Sequence, residues 1–121
     1  MEAATRAIPE PEPEPSVTML LRYRGKNGAA RRFAEEMLAS GTIAAIRAEE
    51  GNRGYSYYLS LEDPETLLLV DSWRDQAALD AHHTSPRMAT IAALREKYDL
   101  HMTAERYTGQ ARGSDSSLIR K

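Results

Sequence analysis

Three histidines are the residues whose chemistry is easiest to place. His82 and His83 stand side by side in Gln76-Ala77-Ala78-Leu79-Asp80-Ala81-His82-His83, and His101 lies by itself near the end of the chain. An imidazole has an unperturbed pKa of about 6.5, so it can take up a proton at neutral pH as a general base. Leu79 is the only large apolar side chain of its segment and marks the buried side. At about 100° per residue, His82 falls about 60° to one side of Leu79 and His83 about 40° to the other, so both are expected to border the core. The structural alternative is a buried imidazole bonded to a backbone carbonyl, or a cation favoured at a helix end. His101 reads as a surface or internally satisfied strand residue.

Aromatic residues surround these positions in the sequence. Trp73, the only tryptophan, comes just before the histidine segment, Tyr55 and Tyr57 alternate on one strand face, and Tyr23 lies in the first strand. Such rings either fill a core or form a flat apolar slot for a planar ligand, with tyrosine hydroxyls to orient it. Met88 and Ile91 are candidate walls of that slot, with core packing as the alternative for both.

Other chemistries lack their signatures. The chain has no cysteine, so disulfides, thiolate metal sites and cysteine nucleophiles are excluded. It has no Gly-rich phosphate loop, no His-x-x-x-His or Glu-x-x-His pair and no Gly-x-Ser-x-Gly elbow. Adjacent histidines on a regular helix cannot both point at one ion, and Asp80 does not repair that, so no metal is expected. Arg53-Gly54-Tyr55-Ser56-Tyr57-Tyr58 loosely echoes an RNA-recognition signature. It falls on the second strand rather than the third or first, and the net charge is −2. No nucleic-acid partner is expected.

The elements that must position these residues follow from periodicity. Val17–Arg24 alternates as a strand, with Val17, Met19, Leu21 and Tyr23 on one face. After a loop at Gly25–Gly28, one long helix is expected from Ala29 to Glu50. Gly41 is a plausible kink or break in it, and Gly51 its C-terminal cap. Tyr55–Leu61 alternates again, Asp63-Pro64 turns the chain, and Thr66–Trp73 forms the third strand. Asp75 caps a short helix over Gln76–His83. Ser85-Pro86 supplies a cap and a first-turn proline for a helix through Tyr98, with Met88, Ile91, Leu94 and Tyr98 on one side. Leu100–Tyr107 is the last strand. The order β-α-β-β-α-α-β matches a ferredoxin-like α+β domain with an antiparallel sheet.

That domain spans residues 17–108 of the 121. Residues 1–16, where Pro and Glu alternate from Pro9 to Pro15, are expected to form an extended arm, and residues 109–121 a polar, flexible tail. Basic and acidic residues nearly balance at 16 and 18, which argues against an anionic membrane as partner. No apolar run approaches a membrane span and the start lacks a hydrophobic signal core, so a soluble, cytoplasmic protein is expected. The third strand reads Leu67-Leu68-Leu69-Val70, apolar on both faces. Helices cover only one face of an open four-stranded sheet, so the other is expected to pack on an identical chain as a homodimer.

The run from Leu68 to Pro86, with Trp73 closing the third strand, then Ala78-Leu79, then Ala81-His82-His83-Thr84-Ser85-Pro86, resembles the antibiotic biosynthesis monooxygenase family, in particular its quinol monooxygenase branch. Ile46–Tyr55 and Glu105-Arg106-Tyr107 fit the same pattern, so the resemblance covers nearly all of Val17–Tyr107. It implies a dimeric α/β barrel with a pocket in each subunit, and cofactor-free oxidation of a quinol or polycyclic aromatic by O₂. His82 is then the base or orienting group, and Trp73, Tyr55 and Tyr57 shape the slot. Arg22 would help hold an anionic oxygen if its strand face turned inward. His83 departs from the apolar residue common in relatives and would enlarge the polar part of the pocket. The helix after Ser85-Pro86 lacks the axial histidine of haem-degrading relatives, which disfavours haem. Two other readings stay open: an isomerase of a small oxygenated metabolite that uses the same histidine, and a non-catalytic dimeric small-molecule-binding or stress protein.

Overall fold

The computed structural model describes residues 14–109 and Arg120. Of the arm expected over residues 1–16 only 14–16 are described, and Ser16 already belongs to the first strand; of the tail expected over 109–121 only Gly109, the end of the last strand, and Arg120 are described. Four strands, β1 (Ser16–Arg24), β2 (Asn52–Leu59), β3 (Thr66–Trp73) and β4 (His101–Gly109), form one antiparallel sheet in the order β2-β3-β1-β4. Four helices, α1 (Ala29–Ala39), α2 (Thr42–Arg47), α3 (Gln76–His83) and α4 (Arg87–Lys97), connect them. The strand order and antiparallel pairing define a ferredoxin-like α+β fold.

Alternation decides which side chains meet the helices. Val17, Leu21 and Tyr23 of β1, Tyr55 of β2, and Leu67, Leu69, Asp71 and Trp73 of β3 are buried on the inner face. Tyr23, Phe33 and Tyr57 pack ring against ring, with centroids 5.3 Å apart for Tyr23–Phe33 and 5.8 Å for Phe33–Tyr57. On α4 the expected stripe is present: Ile91 and Leu94 are buried, with Met88 and Tyr98 packed against the same core. The outer face carries Leu20, Leu68 and Val70, half-buried, beside exposed Tyr58 and Tyr107. All nine residues of β4 are exposed.

Four local expectations are corrected. The single helix over Ala29–Glu50 is two, because Gly41 adopts φ +80°, a left-handed conformation that no helix interior can hold. The observed order is therefore β-α-α-β-β-α-α-β. Gly51, φ +81°, is not the helix cap, since α2 ends at Arg47 and Ala48 caps it; it turns the chain into β2 instead. Leu61 is fully exposed and outside β2, because the Ser60 hydroxyl accepts the Glu62 and Asp63 amides and starts the turn one step early. Ser85 does not cap α4 through its side chain. Its backbone carbonyl takes the Met88 amide at 3.1 Å, and Pro86 occupies the cap position.

Candidate functional site

Asp75 starts α3 by accepting the Ala78 amide at 2.9 Å, and that turn presents Ala78, Leu79 and His82 to the sheet. His82 is 3% exposed. Its ring stacks on Trp73 with centroids 4.8 Å apart and meets the Tyr55 ring at 6.3 Å. His83 is exposed, contrary to expectation. Ala78 as well as Leu79 is buried, so the buried arc centres about 50° from Leu79, with His82 at its middle and His83 about 90° off it.

The imidazole has a fixed partner that the sequence reading did not single out. His82 Nδ1 lies 2.9 Å from Glu49 Oε2 and 3.2 Å from Oε1, and Arg87 Nε donates to the same Oε2 at 2.9 Å. An ionised carboxylate only accepts, so Nδ1 carries the proton and Nε2 keeps its lone pair. Among the described residues Nε2 has no hydrogen-bond partner. Burial holds the His82 pKa below its ordinary value, with the Glu49 bond partly opposing. The ring is therefore neutral at pH 7, with its basic nitrogen available.

A second titratable group lies in the same core. Asp71 is 5% exposed on the inner face of β3 and accepts the Trp73 indole N–H at 2.6 Å. Burial pushes its pKa up to about 6 against the Trp73 bond. Tyr55 and Tyr57 hydroxyls meet at 3.2 Å, and Arg95 Nη2 donates to the Tyr23 hydroxyl at 2.9 Å. Burial raises the pKa of all three tyrosines, so they remain protonated donors. Two buried side-chain atoms have no partner among the described residues: Ser85 Oγ, whose backbone amide donates to the His82 carbonyl, and Arg95 Nε.

The structure thus brings together His82, Trp73, Tyr55, Tyr57 and Tyr23, with Ile91 buried and Met88 half-buried at the edge of the same core. It does not bring in Arg22, which lies on the outer face, exposed and paired with Glu105. The slot expected between Trp73, Tyr55 and Tyr57 is filled by their own rings, since Trp73 and Tyr55 are at most 1% exposed. Two surface clefts lie elsewhere, around Arg22, Arg24 and His101. On the solvent side of this group the Arg87 side chain is 31% exposed, against 10% for Glu49 and 3% for His82. Glu49, Asp71, Arg87 and Arg95 were missed. Asp71 had a signal, an acid in register with Leu67, Leu69 and Trp73; so had Arg95, one turn after Ile91 on the apolar side of α4.

No three of His, Asp and Glu converge as a metal-holding group among the described residues. No helix there is long and apolar enough to cross a membrane.

A ferredoxin-like sheet with a buried, carboxylate-oriented histidine under its helices is the class that fold and site define. The family model for antibiotic biosynthesis monooxygenases matches residues 16–94, and the chain belongs to that family. Among solved structures it is similar to Rv0793 from Mycobacterium tuberculosis, at 26% identity and TM-score 0.65 over 81% of this chain and 98% of that one. A conserved protein from Methanosarcina mazei Go1 matches at 25% identity and TM-score 0.68, over 79% of this chain and 94% of its own. SnoaB, a cofactor-independent oxygenase from Streptomyces nogalater, shares the fold at TM-score 0.67 and 15% identity, over 82% of this chain and 97% of its own. No curated protein matches.

Proposed function

We propose that the chain is a cofactor-independent monooxygenase that oxidises a quinol or a polycyclic aromatic with O₂. The observation that carries this reading is the neutral His82 held through Nδ1 by Glu49, with Nε2 unpartnered among aromatic rings. Family membership and the fold shared with SnoaB, an oxygenase of this kind, support it.

The chemistry follows from what a hydroquinone can do itself. His82 Nε2 takes the proton of one ring hydroxyl, and the electron-rich anion gives an electron to O₂. The two radicals join in a new C–O bond at a ring carbon. The hydroperoxide then expels water, leaving a hydroxyquinone. One hydroquinone and one O₂ give one hydroxyquinone and one water, and the substrate supplies all the electrons, so the reading calls for no cofactor. The aromatic walls keep water out while the anion exists, and Glu49 stabilises the imidazolium. Entry of the ring requires half-buried side chains beside His82, Arg87 and Met88, to swing outward.

We also propose that the working form is a homodimer joined through the outer sheet face. Leu20, Leu68 and Val70 there are half-buried in one chain, with Tyr58 and Tyr107 exposed around them. An apolar sheet face left open to water is a ready interface.

Oxygen uptake with reduced menadione tests the activity. The wild type is expected to exceed the uncatalysed rate, and His82→Ala to fall by about 10²–10⁴-fold. Uptake equal to the uncatalysed rate, or unchanged in His82→Ala, would overturn the reading.

A further inference from the structure

We propose that Arg95 is the anion-binding group of this interior site, and that its ligand carries an ionised oxygen, a carboxylate in particular, on a fused aromatic ring system. The proposal rests on reading the core as a ligand site. Arg95 Nη2 donates to the Tyr23 hydroxyl, and the guanidinium stands 5.4 Å from the centroid of that fully buried ring. Its Nε is buried without an acceptor among the described residues. None of the ion pairs among those residues includes Arg95.

Arg87, the other arginine at this core, is neutralised by Glu49. Arg95, which meets the charge of Asp71 only through space and joins no ion pair among the described residues, therefore brings a positive charge and an unused donor to the tyrosine end of the site. A guanidinium is a permanent cation, and its Nε–Nη edge fits a carboxylate with two parallel bonds. A buried charged donor without an acceptor is costly, and an anionic ligand oxygen would remove that cost. The Tyr23 hydroxyl, already accepting from Arg95, keeps its own proton to donate to the same oxygen.

Geometry sets the shape of the ligand as well. From Arg95 the rings run Tyr23, Tyr57, Tyr55, His82, with successive centroids 6.5, 5.6 and 6.3 Å apart. A single ring at His82 would not reach the guanidinium. A fused system lying along the row would present its anionic group to Arg95 and its reacting hydroxyl to His82.

The test uses the full chain under nitrogen, with quenching of Trp73, its only tryptophan, as the signal. The probes are 6-hydroxy-2-naphthoate, with hydroxyl and carboxylate at opposite ends of the fused rings, and 2-naphthol, which lacks the carboxylate. The wild type is expected to bind the carboxylate at least about tenfold tighter, as one charge-assisted contact gives. Arg95→Gln should lose that preference, read as the ratio of the two affinities in the same variant; Arg95→Lys, which keeps the charge without the fork, should retain part of it. If Arg95→Gln does not fold, a reduced preference in Arg95→Lys decides the matter. No preference in the wild type, an undiminished preference in the variants, or no quenching by either probe would overturn the proposal. Oxygen uptake separates the two ideas. An Arg95-dependent preference without uptake overturns the oxidation only, and uptake with an Arg95-independent preference overturns the anion site only.

Discussion

Fixing Nδ1 of His82 to Glu49 leaves one nitrogen for chemistry, and burial keeps that nitrogen unprotonated at neutral pH. Turnover should therefore hold from pH 8 down to about 6.5 and fall only below it, because the folded His82 pKa lies under the ordinary imidazole value. A rate-against-pH profile checks this; an acid limb centred above pH 7 would contradict it. Asp71 works against folding. Its pKa is about 6 in the fold against 3.8 when exposed, so the native state keeps the proton longer. The contribution of this carboxyl to stability is then greatest below pH 4 and is lost as pH rises through 6, by about 3 kcal/mol in all. Asp71→Asn still offers an oxygen to the Trp73 indole and should gain about 1–3 kcal/mol at pH 8, with no gain at pH 3. Urea denaturation at both pH values reads this out. His82 and Trp73 were legible because their types are rare and their spacing is regular. Glu49 was not, because its partner is 33 residues away and meets it only across the fold.

Two elements hold the histidine against its carboxylate, and Gly51 sets their distance. At φ +81° it turns the chain from α2 into β2, and a Cβ there would lie 2.5 Å from the Ala78 Cβ of α3. Gly51→Ala should therefore cost more than about 1 kcal/mol, from the left-handed backbone as well as the clash. It should also lower turnover by moving α3 away from Glu49. A melting curve and an oxygen-uptake rate on the same variant check both effects; an unchanged rate would show that the Glu49 bond tolerates the shift. Strand alternation and the Asp75 cap were readable, because each depends on neighbours within a few residues. Ser85 and Gly51 were misassigned for the opposite reason: cap chemistry in the sequence does not say whether backbone carbonyls get there first. Gly41 announced the helix break, yet only its left-handed φ shows that the chain uses it.

Strand order and layer arrangement followed from element order, since few topologies connect these elements without crossings. The proposed homodimer rests on the same pattern. Val70 lies on the outer face between Leu20 of β1 and Ser56 of β2. Val70→Glu should leave the helix-side core intact and separate the subunits, so light scattering is expected to give twice the chain mass for the wild type and a single-chain mass for the variant. A monomeric wild type would contradict the sheet-to-sheet dimer. What periodicity did not disclose at this scale is that the aromatic residues fill their own slot. Alternation identifies the inner face but not how completely its side chains close over each other.

Turnover of reduced menadione under oxygen-18 gas is the most direct test of the oxygenase reading. One labelled oxygen atom in the hydroxyquinone product, formed by the wild type and lost in His82→Ala, is the expected result. An unlabelled quinone accompanied by hydrogen peroxide, at the same rate with and without His82, would contradict it.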